Sequence, residues 1–306
     1  MNRATRGIAF AVMAATGGSA LALAQTPTFH ATTSTVVVNV NVRRGNAVVA
    51  NLTANDFRLS DNGVAQQIES VSIETMPIDV TLFLDTSGST AGRRDEMQHD
   101  VQTVISMLGK DDRFRMLTIG DAVEVAVPWV PAGTTVTANF PVIGGISLVN
   151  DALAFGLLHR AAPGRRHLVV GMTDRQDCGS VISASQVLAQ AGRTEAMLYM
   201  VDYSGGGGDG PEYRVRACTP RANPRGVATL DDAAARTGGM VRRQTFWFRA
   251  SSIAKTFKTI LADFRQSYVL RYSPNGTSAR GWHAVVVTVP NVPTATIRAR
   301  QGYFAD

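Results

Sequence analysis

Cysteine and histidine are scarce in this sequence. Its 306 residues include two cysteines, Cys178 and Cys218, and five histidines. The histidines stand at positions 30, 99, 159, 167 and 283, without the spacing of metal ligands. A zinc site built from imidazole and thiolate groups is therefore not predicted.

The sequence also lacks the patterns of several enzyme classes. An aspartic protease needs a pair of Asp-Thr-Gly segments, but here Ser87 separates Thr86 from Gly88 and no second copy occurs. A phosphatase with an aspartyl nucleophile needs an aspartate at position 87. No Ser-His-Asp or Cys-His combination is evident, and the glycine-rich tract at 204–210 lacks the Gly-Lys-Ser/Thr of a phosphate loop. We predict that the protein is not an enzyme.

Neither a nucleic-acid site nor a membrane span is predicted in the mature chain. The formal net charge is +6, but the basic residues are scattered, and their short clusters have no aromatic residues between them. After the N-terminal region, no window is apolar enough to cross a membrane.

The first 24 residues have the pattern of a secretory signal. A basic region with Arg3 and Arg6 precedes an apolar run, which ends in Ala22-Leu23-Ala24. A transmembrane anchor is the alternative, but the run is short and contains glycine and hydroxyl residues. No cysteine stands at the cleavage point, so no lipid anchor is expected there. We predict a signal peptide over 1–24 and a periplasmic, secreted or cell-surface location.

The mature chain divides into β-rich ends and an α/β middle. In the N-terminal arm, predicted at 25–76, Val36, Val38, Val40 and Val42 alternate with other residues as on one face of a strand. The C-terminal arm, predicted at 266–306, returns to β patterning. The simplest arrangement is one small β-rich unit built from both arms, flanking an α/β domain at 77–265.

Within this middle domain, apolar runs alternate with helical stripes. Strands are predicted at 80–85, 114–121, 123–129, 167–174, 196–202 and 240–243. Helices are predicted at 93–108, 150–161, 183–192, 230–240 and 251–265. This alternation predicts a mostly parallel sheet covered on both faces by helices.

Four apolar strands end in aspartate, at positions 85, 121, 174 and 202. In open α/β sheets, ligands bind at the carboxyl ends of the strands. We interpret Asp121, in a tight hairpin, and Asp202, at the start of the glycine-rich loop, as turn residues.

Asp85 is followed by Ser87 and Ser89, at alternate positions. Alternate side chains of an extended segment face the same side, so three oxygen atoms converge. Carboxylate and hydroxyl oxygens are hard ligands, which suit Mg²⁺ rather than zinc.

The segment Asp85-Thr86-Ser87-Gly88-Ser89 resembles the Asp-x-Ser-x-Ser motif of von Willebrand factor A domains. In that family the motif belongs to the metal-ion-dependent adhesion site, which also takes a threonine from a second loop. When GISLVNDAL is aligned from Asp151, Ser147 stands at the threonine position. Alignment from Gly144-Gly145 would instead put Ile146 there, a residue that cannot bind metal. We favour Ser147.

The family's second aspartate corresponds to Asp174 in VVGMTDRQD. The residue after it is usually glycine, and here it is Arg175, a departure that alters the loop beside the metal. Both arms resemble those of the exported, A-domain-related proteins of acidobacteria and similar bacteria, so the resemblance covers nearly all of the mature chain. It implies a Rossmann-like fold in which the edge strand after the hairpin is antiparallel.

The resemblance also implies a function. A divalent cation, Mg²⁺ or else Mn²⁺ or Ca²⁺, would be held by Asp85, Ser87, Ser89, Ser147 and Asp174. Such a shell does not neutralise the ion, which can exchange a water for an Asp or Glu carboxylate of a protein partner. We predict an exported, adhesion-type binding module. The alternative is a structural subunit of an envelope assembly whose metal site is vestigial.

The two cysteines are predicted to form a disulfide bond. Export implies an oxidising compartment. Cys178 follows Asp174 by four positions, and Cys218 lies in the stretch after Asp202, so both loops leave the same edge of the predicted sheet.

Overall fold

The structure is a computed structural model that describes residues 35–73, 75–86, 94–140, 146–173, 175, 177–202, 224–243 and 252–305. The predicted signal peptide at 1–24 lies outside these ranges, as do Ser87, Ser89, Asp174 and Cys218. Residues from 34 onward belong to one compact unit.

A six-stranded sheet forms the α/β centre of the chain, which we define as residues 78–265. Its strands are β6 (Ile78–Asp85), β7 (Arg113–Ile119), β8 (Val123–Pro131), β9 (Arg166–Thr173), β10 (Met197–Asp202) and β11 (Met240–Arg243). They lie in the order β11-β10-β9-β6-β7-β8. All pairings are parallel except that of β7 with the edge strand β8, which is antiparallel. The Rossmann-like fold is thus confirmed, with the antiparallel edge where it was expected.

The apolar runs form the middle of this sheet because both of its faces are covered. Every residue of β6 and of β10 is buried. The helices of the centre are α1 (Arg94–Ser106), α2 (Val149–Leu158), α3 (Ala184–Ala191), α4 (Pro224–Arg236) and α5 (Ser252–Arg265). They supply buried stripes such as Met97, Val101 and Val104 of α1. Among the described residues, no helix combines the length and the apolar character needed to cross a membrane.

Strands from both arms pair with one another and form a β unit, which we define as residues 36–73 together with 268–305. Its strands are β1 (Val36–Arg44), β2 (Ala47–Val48), β3 (Arg58–Asp61), β4 (Val64–Gln66), β5 (Ser70–Ile73), β12 (Tyr268–Tyr272), β13 (Gly281–Thr288), β14 (Thr296–Ala299) and β15 (Gly302–Ala305). One sheet has the order β14-β1-β12-β5, with β2 beside β1, and the other has the order β15-β13-β3-β4. The small β-rich unit expected from the two arms is therefore confirmed.

The hairpin of β3 and β4 turns at Asn62-Gly63. Both residues have positive φ, of 48° and 81°. This is the conformation of a type I′ turn, in which Asn-Gly is the favoured pair.

The β unit packs against the α/β centre through the polar face of β1. The alternating valines of β1 enter the core of the β unit, while Asn39 and Asn41, on its other face, are also buried. Nη2 of Arg166 donates to the side-chain oxygen of Asn39 at 2.9 Å, and Nε of Arg43 donates to Asp263 of α5 at 2.9 Å. Both faces of the first strand are therefore buried, one in an apolar core and one in a polar interface.

Candidate functional site

The candidate site lies at the carboxyl edge of the six-stranded sheet, where β6, β9 and β10 end. Asp85 is the last residue of β6, Thr173 the last of β9 and Asp202 the last of β10. Thr173 pairs in register with Asp202, and the residues before Asp85 and Thr173 pair with each other. Asp85, Thr173 and Asp202 thus form a row across the end of the sheet.

Asp85 is buried at this edge and is held by side chains from two other segments. It is 6% exposed. The hydroxyl of Thr173 donates to its Oδ2 at 2.8 Å, and Oγ of Ser147 lies 3.4 Å from its Oδ1. The next residue, Thr86, is fixed by its backbone N–H, which donates to the carbonyl of Ile119 at 3.0 Å. The carboxylate is therefore positioned by three neighbouring segments.

Backbone contacts on both sides determine where Ser147 lies. The N–H of Ile146 donates to Oδ1 of Asp121 at 2.9 Å, and the N–H of Leu148 donates to the carbonyl of Gly120 at 3.3 Å. Ser147 itself is 9% exposed. Because the loop is tied to the end of β7 in this register, Ser147 rather than Ile146 faces Asp85.

Asp121 was interpreted from the sequence as a turn residue, and its structural role is larger. Its side chain anchors the loop that carries Ser147, across 25 positions in the chain. Sequence reasoning missed this role, because the two loops meet only in the folded sheet.

The loop that carries Ser147 is also joined to residues 177–182. The N–H of Cys178 donates to the carbonyl of Ser147 at 2.9 Å. Asp177 accepts a hydrogen bond from the N–H of Asn150, at the start of α2, at 2.9 Å. The carboxylate of Asp151 accepts from the N–H of Ile182 at 2.8 Å. These contacts fix the N-terminal end of α2 beside the candidate site.

Three of the five predicted ligands and one of the two cysteines are outside the described residues: Ser87, Ser89, Asp174 and Cys218. The structure brings together the other two ligands, Asp85 and Ser147. Within the described ranges, no three His, Cys, Asp or Glu side chains are grouped closely enough to hold a metal ion.

Arg175 takes the place of the family's glycine and adopts the backbone conformation that favours glycine. Its φ is 62°, in the left-handed region that side chains with a Cβ rarely occupy. Its N–H donates to Oγ1 of Thr173 at 3.0 Å, and this hydroxyl in turn donates to Asp85. The backbone of Arg175 thus helps to orient the carboxylate of Asp85.

The side chain of Arg175 is buried in two ion pairs. Its Nη2 lies 2.5 Å from Oδ2 of Asp202, and its Nη1 contacts Oδ1 of Asp231 on α4. Asp202 is therefore a buried partner of this guanidinium, a larger role than that of the turn residue that the sequence predicts. The departure from glycine at position 175 was visible in the sequence, but its two acidic partners were not.

A second polar cluster lies at the opposite edge of the sheet. Asp79 is fully buried and accepts hydrogen bonds from Arg113 and Arg165 at 2.6 Å. Burial tends to raise the pKa of Asp79, but the hydrogen bonds and charges of the two arginines lower it overall. Burial lowers the pKa of the neighbouring His167 to about 3, so this imidazole is neutral. The two arginines therefore neutralise the buried carboxylate of Asp79.

The chain has no match among protein-family models and none among curated proteins. Solved structures do resemble it. An aerotolerance-related membrane protein from Bacteroides fragilis is 12% identical, with 62% of this chain and 99% of that chain covered and a TM-score of 0.42. The ArnB paralog VWA2 from Sulfolobus acidocaldarius is 9% identical, covers 87% of this chain and 75% of its own, and has a TM-score of 0.43. A von Willebrand factor type A protein from Catenulispora acidiphila is 11% identical, with coverage of 88% and 73% and a TM-score of 0.41.

Proposed function

We propose that this chain is a protein-binding module that acts through a divalent cation at the carboxyl edge of its central sheet. Asp85, Ser87, Ser89, Ser147 and Asp174 would hold Mg²⁺, or Mn²⁺ or Ca²⁺. The cation would then bind an Asp or Glu carboxylate of a partner protein. The observation that carries the proposal is the meeting of Asp85 and Ser147, which are 62 positions apart in the sequence.

The two oxygen atoms fit a shared cation better than a direct hydrogen bond. Their separation of 3.4 Å is long for a hydroxyl–carboxylate contact, which is usually about 2.7 Å. Two neighbouring oxygens on one Mg²⁺ or Ca²⁺ ion would be about 2.9–3.6 Å apart, given typical metal–oxygen distances. A carboxylate and a hydroxyl are also the hard ligands that these ions prefer.

The surroundings of Asp85 would keep such an ion reactive toward a partner. Thr173 occupies Oδ2 of the carboxylate with a hydrogen bond, which leaves Oδ1 toward Ser147. Burial of the carboxylate lowers the local dielectric and strengthens its attraction for a cation. With neutral hydroxyls in the shell, part of the ion's charge would remain for the partner's carboxylate.

The proposal includes export and a disulfide bond. Export rests on the signal-like pattern at 1–24. The bond between Cys178 and Cys218 would hold the 203–223 segment beside the site, because the backbone of Cys178 is bonded to Ser147. No reaction is proposed for the chain.

One observation favours a second candidate, a structural subunit of an envelope assembly with a vestigial metal site. Hydroxyl groups of Thr173 and Ser147 approach both oxygens of Asp85. The carboxylate therefore has protein partners that do not require a cation.

Calorimetric titration with Mg²⁺, Mn²⁺ and Ca²⁺ after treatment with a chelator separates the two candidates. We expect binding by the wild-type protein and none by Asp85→Ala, with the fold retained. Ser147→Ala should weaken binding at least about tenfold, as loss of a ligand should exceed typical outer-shell effects. Ile146→Ala and the exposed Asp232→Ala are matched controls and should bind as the wild type does.

Two results would contradict the metal assignment. One is an unchanged Mg²⁺ affinity of Asp85→Ala. The other is the absence of both heat and a thermal shift with all three ions, which supports the vestigial site. If binding occurs, capture of a partner from an envelope fraction should succeed in Mg²⁺ and fail in chelator.

A further inference from the structure

The conformation of Arg175 requires compensation from its side chain. A left-handed backbone is unfavourable for a residue with a Cβ, and glycine would avoid this cost. Arg175 is nevertheless 5% exposed and lies directly behind the candidate site. The contacts of its guanidinium must therefore offset the cost of this backbone conformation.

Those contacts neutralise an aspartate in the row across the end of the sheet. Nη2 of Arg175 lies 2.5 Å from Oδ2 of Asp202, which is 1% exposed. Arg243 lies farther from the same oxygen, at 3.7 Å, and its side chain is 77% exposed. A buried carboxylate is costly without a close cation, and Arg175 is the buried cation of this pair.

Asp202 is close enough to the candidate site for its charge to matter there. Asp202 pairs with Thr173, and Thr173 hydrogen bonds to Asp85. Adjacent strands are about 4.8 Å apart, so Asp85 and Asp202 are about 10 Å apart along the row. Exposed charges at this distance are largely screened at physiological salt, where the Debye length is about 8 Å, but buried charges such as those of Asp85 and Asp202 are screened much less.

We propose that Arg175 sets the cation affinity of the candidate site by cancelling the charge of Asp202. This inference rests on the proposed function. With Arg175 in place, the edge carries less negative charge, and the bound ion is held less tightly. It therefore keeps more of its attraction for a partner's carboxylate. Glycine at this position would remove this positive charge from the edge.

The expected effect follows from Coulomb's law. Removing one positive charge at about 10 Å from a divalent ion should tighten its binding about fourfold in a water-like dielectric, and far more in a buried one. We therefore expect Arg175→Gln to bind Mg²⁺ and Mn²⁺ at least about fivefold more tightly than the wild type. A merely structural role for Arg175 predicts the opposite sign, because a loosened loop would bind the ion less well.

The test combines a metal-free and a metal-bound measurement on the full chain. In chelator, Arg175→Gln should lower the midpoint of urea unfolding, and adding Asp202→Asn should restore much of the loss. In calorimetric titrations with Mg²⁺ and Mn²⁺, Arg175→Lys should bind within about twofold of the wild type. The double variant Arg175→Gln/Asp202→Asn should also bind Mg²⁺ and Mn²⁺ within about twofold of the wild type. Arg280→Gln removes an equal charge from an exposed position in the β unit and is the matched control.

A single variant keeps the test decisive if Arg175→Gln does not fold. Asp202→Asn removes one of the two carboxylates that pair with Arg175, so the edge becomes more positive, and Mg²⁺ binding should weaken at least about fivefold.

Each remaining outcome has one meaning. If the wild type binds Mg²⁺ and Arg175→Gln binds it equally well or less tightly, this inference alone is overturned. Binding by Arg175→Gln but not by the wild type would support the inference and overturn the proposed function. If no variant binds a metal, both fail.

Discussion

Asp263 of α5 joins the α/β centre to the β unit, and Asp263→Ala should destabilise the whole protein. Its Oδ1 lies 2.7 Å from Nη2 of Arg43 on β1, and its Oδ2 accepts from the hydroxyl of Tyr199 on β10 at 2.5 Å. Arg298 of β14 pairs with the same Oδ2. One carboxylate thus connects two strands of the β unit to a helix and a strand of the centre.

The size of the effect follows from the burial of these groups. Removing one partner of a fully buried ion pair costs about 3–5 kcal/mol. The side chains of Arg43 and Arg298 remain 25% and 23% exposed, so water would solvate part of their charge. We therefore expect a loss of about 2–4 kcal/mol in the free energy of unfolding. For a protein of this size, this corresponds to a decrease of about 3–7 °C in Tm.

The difference in the free energy of unfolding between Asp263→Ala and the wild type should depend on pH in a defined direction. Burial tends to raise the pKa of Asp263, but the charge of Arg298 and the bonds from Tyr199 and Arg298 lower it overall. A carboxyl group whose pKa is lowered on folding stabilises the protein above its unfolded pKa. That contribution is lost as the pH falls through the folded value. The loss of stability in Asp263→Ala should therefore have its full size at pH 7 and become smaller below about pH 4.

Urea unfolding followed by circular dichroism measures both quantities. Asp111→Ala is the control, because this carboxylate is 64% exposed and lies 4.0 Å from its nearest cation, Lys110. The control should stay within about 0.5 kcal/mol of the wild type. The reasoning would be refuted if Asp263→Ala were as stable as Asp111→Ala at pH 7, or if its deficit grew as the pH fell.

Two further predictions concern the covalent and domain structure. Mass spectrometry of non-reduced peptides should find Cys178 linked to Cys218 in protein exported to an oxidising compartment, and free thiols at both positions would contradict this. The bond closes a loop of about 40 residues and should stabilise the fold by about 4 kcal/mol on the chain-entropy model. A fragment spanning 77–265 should aggregate, because it loses the strands that cover Asp263 and Arg166. A soluble, monomeric fragment on size-exclusion chromatography would show instead that the α/β centre is independent.

Much of the fold could be predicted from the sequence, because local patterns determine it. The continuous apolar run before Asp85 predicts a strand buried on both faces, and β6 is such a strand. Helix α4 was predicted less well: it begins at Pro224, six positions before the predicted start. Proline is well suited to the first turn of a helix, where its missing N–H is not needed. The residues around Pro224 are mostly polar, however, so they show no apolar periodicity from which a helix could be predicted.

The candidate site could be predicted only in part, since its contacts join distant segments. The motif at 85–89 identified Asp85. The alignment of the segment around Asp151 identified Ser147, although a second alignment would have placed Ile146 at the same position. The ion pairs of Arg175 could not be predicted, because Asp202 and Asp231 lie 27 and 56 positions away. No local pattern in the sequence indicates which aspartate a buried arginine will meet.

The pairing of β1 with β12 and β14 determines when the β unit can be completed. Residues 36–43 pair with 268–272 and 296–299, so these pairings cannot form until the C-terminal arm has been synthesised. At typical rates of translation, the intervening 230 residues or so take on the order of 10–45 s to make. During that time β1 lacks its β12 and β14 partners, so part of its valine face is accessible to chaperones. Pairing across such a long sequence separation also makes folding intrinsically slow.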